Sequence, residues 1–131
     1  MINKLHIILY VEDQNRSTLF YQNVLAIEPN LNVPGMTEFE LCNGAILGLM
    51  PGSGIKKLLG EKIEVPSHAS KITRAELYLL VDEPQKYFDR ALQHGAIELS
   101  RLQPRDWGDE ATYCFDMDGY ILAFAKKMES T

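Results

Sequence analysis

Two side chains with acid–base chemistry stand out by type and place. His6 lies in Leu5-His6-Ile7-Ile8-Leu9-Tyr10-Val11-Glu12, and Glu76 lies in Ala75-Glu76-Leu77-Tyr78-Leu79-Leu80-Val81-Asp82. Both segments alternate as strands do. An imidazole facing a carboxylate makes an acid–base pair, because each alters the other's hold on its proton. The competing readings are a strand histidine hydrogen-bonded inside a cleft and a rim carboxylate in water. Tyr10 shares the parity of His6, and Tyr78 that of Glu76. With Tyr113 and Phe115 they offer stacking surface to a ligand, or ordinary packing. Trp107 is the single tryptophan and stands in a loop with Pro104 and Gly108, beside Asp106, Asp109 and Glu110. Such an aromatic either contacts a cation and covers a site or anchors its loop in the core. Arg105 pairs with a substrate anion or with Asp109. Glu38 and Glu40 share a face, and the pattern leaves open whether it points inward or to water.

The elements that must position these groups form a repeat. Residues 4–11 read as a strand with Leu5, Ile7, Leu9 and Val11 on one side and His6 and Tyr10 on the other. Asp13–Ile27 reads as a helix, capped by Asn15 or Ser17, with Leu19, Phe20, Val24 and Ile27 as its apolar stripe. Leu31–Val33 is a short strand between prolines. Residues 37–50 read as a hairpin about Asn43-Gly44, the preferred two-residue turn. A loop at Pro51–Gly54 and a helical turn at Ile55–Leu59 open a linker over 51–71, which holds His68. The second half runs from about residue 72. It reads as strand Arg74–Val81, helix Glu83–His94 stopped by Gly95, strand Ala96–Ser100, loop Leu102–Asp109, and a hairpin of Ala111–Asp116 and Tyr120–Lys126. Asn43-Gly44-Ala45-Ile46-Leu47-Gly48-Leu49-Met50 aligns with Asp118-Gly119-Tyr120-Ile121-Leu122-Ala123-Phe124-Ala125. Each half is strand, helix, then three strands, with modules at about 4–50 and 72–127. Two halves that each need a partner face pack together and enclose a cleft.

Composition narrows the function. A chain of 131 residues fits one domain. Thirteen basic against 18 acidic residues leave a net charge of -5. That argues against nucleic acid, whose backbone demands a basic surface. No apolar run approaches membrane-spanning length, and no export-type leader is visible, so a cytoplasmic protein is expected. Cys42 and Cys114 read as reduced, buried thiols in strands, without the clustered partners a metal needs. The Gly52/Gly54 loop lacks the ending of a phosphate cradle.

On these residues the chain resembles the vicinal oxygen chelate superfamily, which includes glyoxalase I, extradiol dioxygenases and bleomycin-binding resistance proteins. Leu5 to Asp13, with Arg16-Ser17 and Phe20-Tyr21, resembles the opening of a glyoxalase module. Asp116-Met117-Asp118-Gly119-Tyr120 resembles its end, with Met117 where Pro is usual. Arg105-Asp106-Trp107-Gly108 is similar to a loop of bleomycin-resistance-like members. The resemblance spans residues 4 to 127. It implies an α+β fold of two βαβββ modules forming a curled mixed β-sheet, and a homodimer. The family's metal-ligand positions fall on His6, Gly48, Glu76 and Ala123. Glu76 stands where His is usual, and Gly48 and Ala123 replace carboxylates. Two protein ligands fall short of the three that catalytic zinc or a facial triad takes. The resemblance therefore implies a non-metal branch: a protein that binds a small organic ligand with no cofactor. The ligand residues would be His6, Tyr10, Gly48, Met50, Glu76, Tyr78, Trp107, Tyr113 and Ala123. The alternative is a lyase or isomerase using His6 and Glu76, with or without a divalent metal between them.

Overall fold

Residues 1–66 and 73–129 are described by a computed structural model; His68 lies outside them. The chain divides into two compact units, Met1–His68 and Ala69–Thr131.

The first unit begins with β1 (Leu5–Val11), α1 (Gln14–Leu25), β2 (Leu31–Val33), β3 (Met36–Cys42) and β4 (Ala45–Pro51). Its four-stranded sheet has the order β1-β4-β3-β2. β1 runs parallel to β4, and the remaining pairs are antiparallel. A parallel pair needs a crossover, and α1 with the following strands supplies it. Asp13 caps α1 by accepting from the Arg16 amide at 3.0 Å. The cap is thus neither Asn15 nor Ser17. Ala26 ends the helix in the left-handed region at φ 57°. Leu19 is 61 % exposed and does not belong to the buried stripe. Ser17, Phe20, Tyr21, Val24 and Leu25 form it instead, at the helical spacing of 3, 1, 3 and 1. Tyr21 claims the place because its ring packs edge-on to Phe20 at 5.0 Å. Thr18 and Thr37, both buried, satisfy one another across the helix–sheet contact at 2.8 Å.

α1 lies over β3 and β4, where Phe39, Leu47 and Leu49 are fully buried. Side chains of this size each contribute roughly 1.5–3 kcal/mol when removed from water. β1 is at the edge, so Leu9 and Val11 are buried while Leu5 and Ile7 are not. After β4 the helical turn expected at Ile55–Leu59 is present and begins earlier, in the stretch expected to loop: α2 spans Gly52–Leu59, and a 3-10 turn spans Gly60–Lys62. Lys56 Nζ ties its end by donating to the carbonyls of Gly60 and Ile63.

The second unit repeats the plan with β5 (Glu76–Leu80), α3 (Pro84–Gln93), β6 (Ile97–Pro104), β7 (Asp109–Phe115) and β8 (Ile121–Lys127). The order is β5-β8-β7-β6, again with the first and last strands parallel. Pro84 opens α3, where its missing N–H costs nothing, and Gly95 follows it at φ 108°. Phe88, Ala91, Leu77, Leu122 and Phe124 are buried, and Tyr87 meets Phe124 at 5.5 Å. β6 continues through Leu102 to Pro104, beyond the expected loop start, because register shifts after Glu98 and Ser100 keep it paired to β7. Cys114 is buried, and burial pushes its thiol up to about 12. Cys42 is exposed, contrary to expectation; it is the last residue of β3, next to the Asn43-Gly44 turn. The fold is thus α+β, with two repeated modules and two open mixed sheets.

Candidate functional site

Each sheet has one face under its main helix, α1 or α3 (α2 also contacts β1 and β4 of the first sheet), and one face turned away from that helix. Register decides which side chains meet on the latter. In the first unit His6 is level with Ile46, Ile8 with Gly48 and Tyr10 with Met50, while Gly48 is level with Glu38 on its other side. His6 Nδ1 stands 3.5 Å from Glu38 Oε2, and both side chains keep some contact with water. Glu38 therefore points along the face turned away from α1 toward His6, and Glu40 is exposed. Gly48 does not leave an empty niche. A Cβ there would meet Ile8 Cγ1 at 3.1 Å and Met36 Sδ at 3.3 Å. Those two side chains already fill the space above it.

The second unit arranges its residues differently. Glu76 is level with Ile121, and Tyr78 with Ala123, which is level with Tyr113 on the other side. Fully buried Ala123 thus sits between two tyrosines. Tyr78 Oη donates to Asp109 Oδ2 at 2.5 Å and accepts from Trp107 Nε1 at 2.9 Å. Trp107 stays 55 % exposed. The indole is a half-wet ring held at its polar edge.

Arg105 closes the other side. Its guanidinium lies 5.0 Å from the centre of the Tyr113 ring. Its Nη2 donates to Ser100 Oγ at 2.9 Å, Ala111 O at 2.7 Å and Arg101 O at 3.1 Å. Its link to Asp109 runs through the backbone, Arg105 N to Asp109 O at 2.7 Å. Arg105 Nε is buried and makes no hydrogen bond. Both tyrosines hold their protons more tightly than a free phenol. For Tyr78 burial is the main cause, followed by its bond to the Asp109 carboxylate, with the Trp107 donor pulling the other way. For Tyr113 burial again leads, then the negative charge of Glu76, opposed by Arg105. Neutral phenols at these positions remain hydrogen-bond donors at physiological pH.

The sequence reading missed Asp109 as a site residue, although it shares the parity of Tyr113 along β7. Ser100 and Gln103, bonded to each other at 3.0 Å, are likewise second-unit polar groups that spacing did not single out.

The sequence pattern of the Glyoxalase/Bleomycin resistance protein/Dioxygenase superfamily matches residues 5–124. The chain belongs to this superfamily. Solved structures of similar fold include a glyoxalase-related enzyme from Fulvimarina pelagi, at 20% identity and a TM-score of 0.78, covering 93% of this chain and 86% of that one. A glyoxalase/bleomycin resistance protein/dioxygenase family enzyme from Burkholderia phytofirmans PsJN has 12% identity and a TM-score of 0.78, covering 94% and 97%. TioX from Micromonospora sp. ML1 has 18% identity and a TM-score of 0.69, covering 95% and 98%. No match is found among curated proteins.

The donor set does not fit the divalent ion found in metal-dependent glyoxalase-superfamily members. Gly48 and Ala123 bring no donor atom, and Gly48's surroundings are Ile8 and Met36. Among the described residues no three His, Cys, Asp or Glu side chains converge on a common point. No described helix is long and apolar enough to cross a membrane.

Proposed function

We propose that this superfamily member binds a small organic molecule, in the manner of the bleomycin-resistance type, without a catalytic metal. The reading rests on one observation: on the second sheet Trp107, Tyr78 and Asp109 form a hydrogen-bonded chain beside Tyr113 and Arg105. Aromatic faces with a few fixed polar groups are what organic ligands need for affinity and orientation. Glu76 and Asp109 outnumber Arg105 there, and the chain's net charge is -5, which favours a cationic guest. The working form is a homodimer in the cytoplasm.

A compound selected by thermal-shift screening and titrated by calorimetry should lose about tenfold or more in affinity on Trp107→Ala or Tyr78→Ala, as interface aromatics do. Unchanged affinity in both variants sinks the proposal. A second reading has its own observation, the His6–Glu38 contact at 3.5 Å. It makes the protein a lyase or isomerase with His6 as general base, and its carboxylate within the same unit is Glu38; Glu76 stands in the other. Stoichiometric zinc, nickel, manganese or iron in the purified protein would favour that reading.

A further inference from the structure

We propose that Asp109 is a positioning residue: it orients the Tyr78 hydroxyl, and through it fixes the Trp107 indole on the helix-free face of the second sheet. A phenol has one proton to give, an ionised carboxylate only accepts, and an indole N–H only donates. Tyr78 spends its proton on Asp109 at 2.5 Å, a separation typical of an O–H donor on a carboxylate. Its oxygen then presents a lone pair to Trp107 Nε1 at 2.9 Å. The chain therefore runs one way, from Trp107 through Tyr78 to Asp109. Without the carboxylate the phenol proton is free to turn toward the indole, and two donors would oppose each other.

Trp107 needs such a tie because more than half of it lies in water. The backbone of its turn is already closed, by Arg105 N to Asp109 O at 2.7 Å and Gly108 N to Arg105 O at 3.3 Å, with Gly108 at φ 97°. Met128 N also donates to Gly108 O at 3.0 Å. What remains to be set is the plane and height of the ring, and Tyr78 is the group that touches its polar edge. Asp109 performs two separate jobs: its carbonyl closes the turn and its carboxylate aligns the side chain at the turn's tip. The use of this device deepens the ligand-binding reading and rests on it, but the device can be tested without any ligand.

Trp107 is the sole tryptophan, so indole emission reports this turn alone. In the full chain, Asp109→Ala and Tyr78→Phe should each move the emission to longer wavelength and raise quenching by acrylamide. Loss of a charge-assisted hydrogen bond shifts the held-to-released ratio by about tenfold or more. Asp109→Asn keeps an acceptor oxygen and should return emission most of the way to wild type, whereas Asp109→Leu, which fills similar space without an acceptor, should behave as Asp109→Ala does; a merely space-filling role would leave Asp109→Leu like wild type. Glu110→Ala, beside Lys126 and one residue off the chain, should leave emission unchanged. Wild-type emission and quenching in either Asp109→Ala or Tyr78→Phe overturns the proposal. Should Asp109→Ala fail to fold by circular dichroism, Asp109→Leu takes its place, and wild-type emission in that variant overturns the proposal. Failure of the binding reading leaves this measurement untouched, since no ligand enters it.

Discussion

In the first unit the row Ile8, Gly48, Glu38 crosses the face turned away from α1, and in the second the equivalent row is Tyr78, Ala123, Tyr113. The backbone register is the same in both, and so is the small residue at the centre. The chemistry around that residue is not. Over Gly48 the neighbours are Ile8 and Met36, which close the space with apolar atoms. Beside Ala123 the neighbours are two phenols, one of them in a directed hydrogen-bond chain. The lesson is that a small side chain on a sheet does not by itself open a site. What stands in the same row decides whether the room is filled by packing or framed by groups that recognise a ligand.

Three experiments can break or sharpen this contrast. The largest difference concerns the two thiols, which stand on the equivalent strands β3 and β7. With the Cys114 thiol pushed up to about 12, its reactive thiolate amounts at pH 8 to about one part in ten thousand. The sign is fixed by burial, which disfavours the charged form, so raising the pH toward 12 is what would expose reactivity. A disulfide reagent at pH 8 should modify Cys42 alone in the native protein and both thiols in denaturant. Rapid native modification of Cys114 would contradict the packed second core.

Next come the cores. Phe39 and Phe124 are both fully buried beneath their helices. Truncating either to Ala should cost about 3–5 kcal/mol in denaturant unfolding. Comparable losses are expected, because the faces under α1 and α3 are alike even where the opposite faces differ. A loss confined to one of them would mean the repeat is not energetically balanced.

The smallest effects concern the central residues. Ala123→Val adds volume to a fully buried position between tyrosines, and overpacking of that kind costs about 1–3 kcal/mol. Gly48→Ala meets Ile8 Cγ1 at 3.1 Å and Met36 Sδ at 3.3 Å, with the Ile7 carbonyl oxygen at 3.8 Å, and offsets that crowding by relieving the entropy of a glycine in a strand. It should change stability by no more than about 1 kcal/mol in either direction. If Gly48→Ala were the costlier of the two in thermal unfolding, the space over Gly48 would be more rigidly filled than its neighbours suggest.

Much of the architecture was legible in the chain itself. Alternation of apolar residues, the Asn43-Gly44 turn and the duplicated segments specified βαβββ twice, because period and turn chemistry are local properties. The same patterns named His6, Tyr78, Trp107 and Tyr113 as candidates. Local patterns could not give the rotation of α1, where Leu19 looked apolar enough for the stripe and Tyr21 occupies it. Nor could they give the continuation of β6, which depends on register shifts against the next strand, β7, that residue type does not reveal.

The sequence alone determined the repeat, the strand parities and the absence of donor atoms at Gly48 and Ala123, since each of these is fixed by residue identity and short-range geometry. Only tertiary structure decided that His6 meets Glu38, that Tyr78 is clasped between Trp107 and Asp109, and that Arg105 lies over Tyr113. Those partners come from different strands and turns, and hydrogen bonds between them depend on sheet register and on side-chain direction, which no local run of residues encodes.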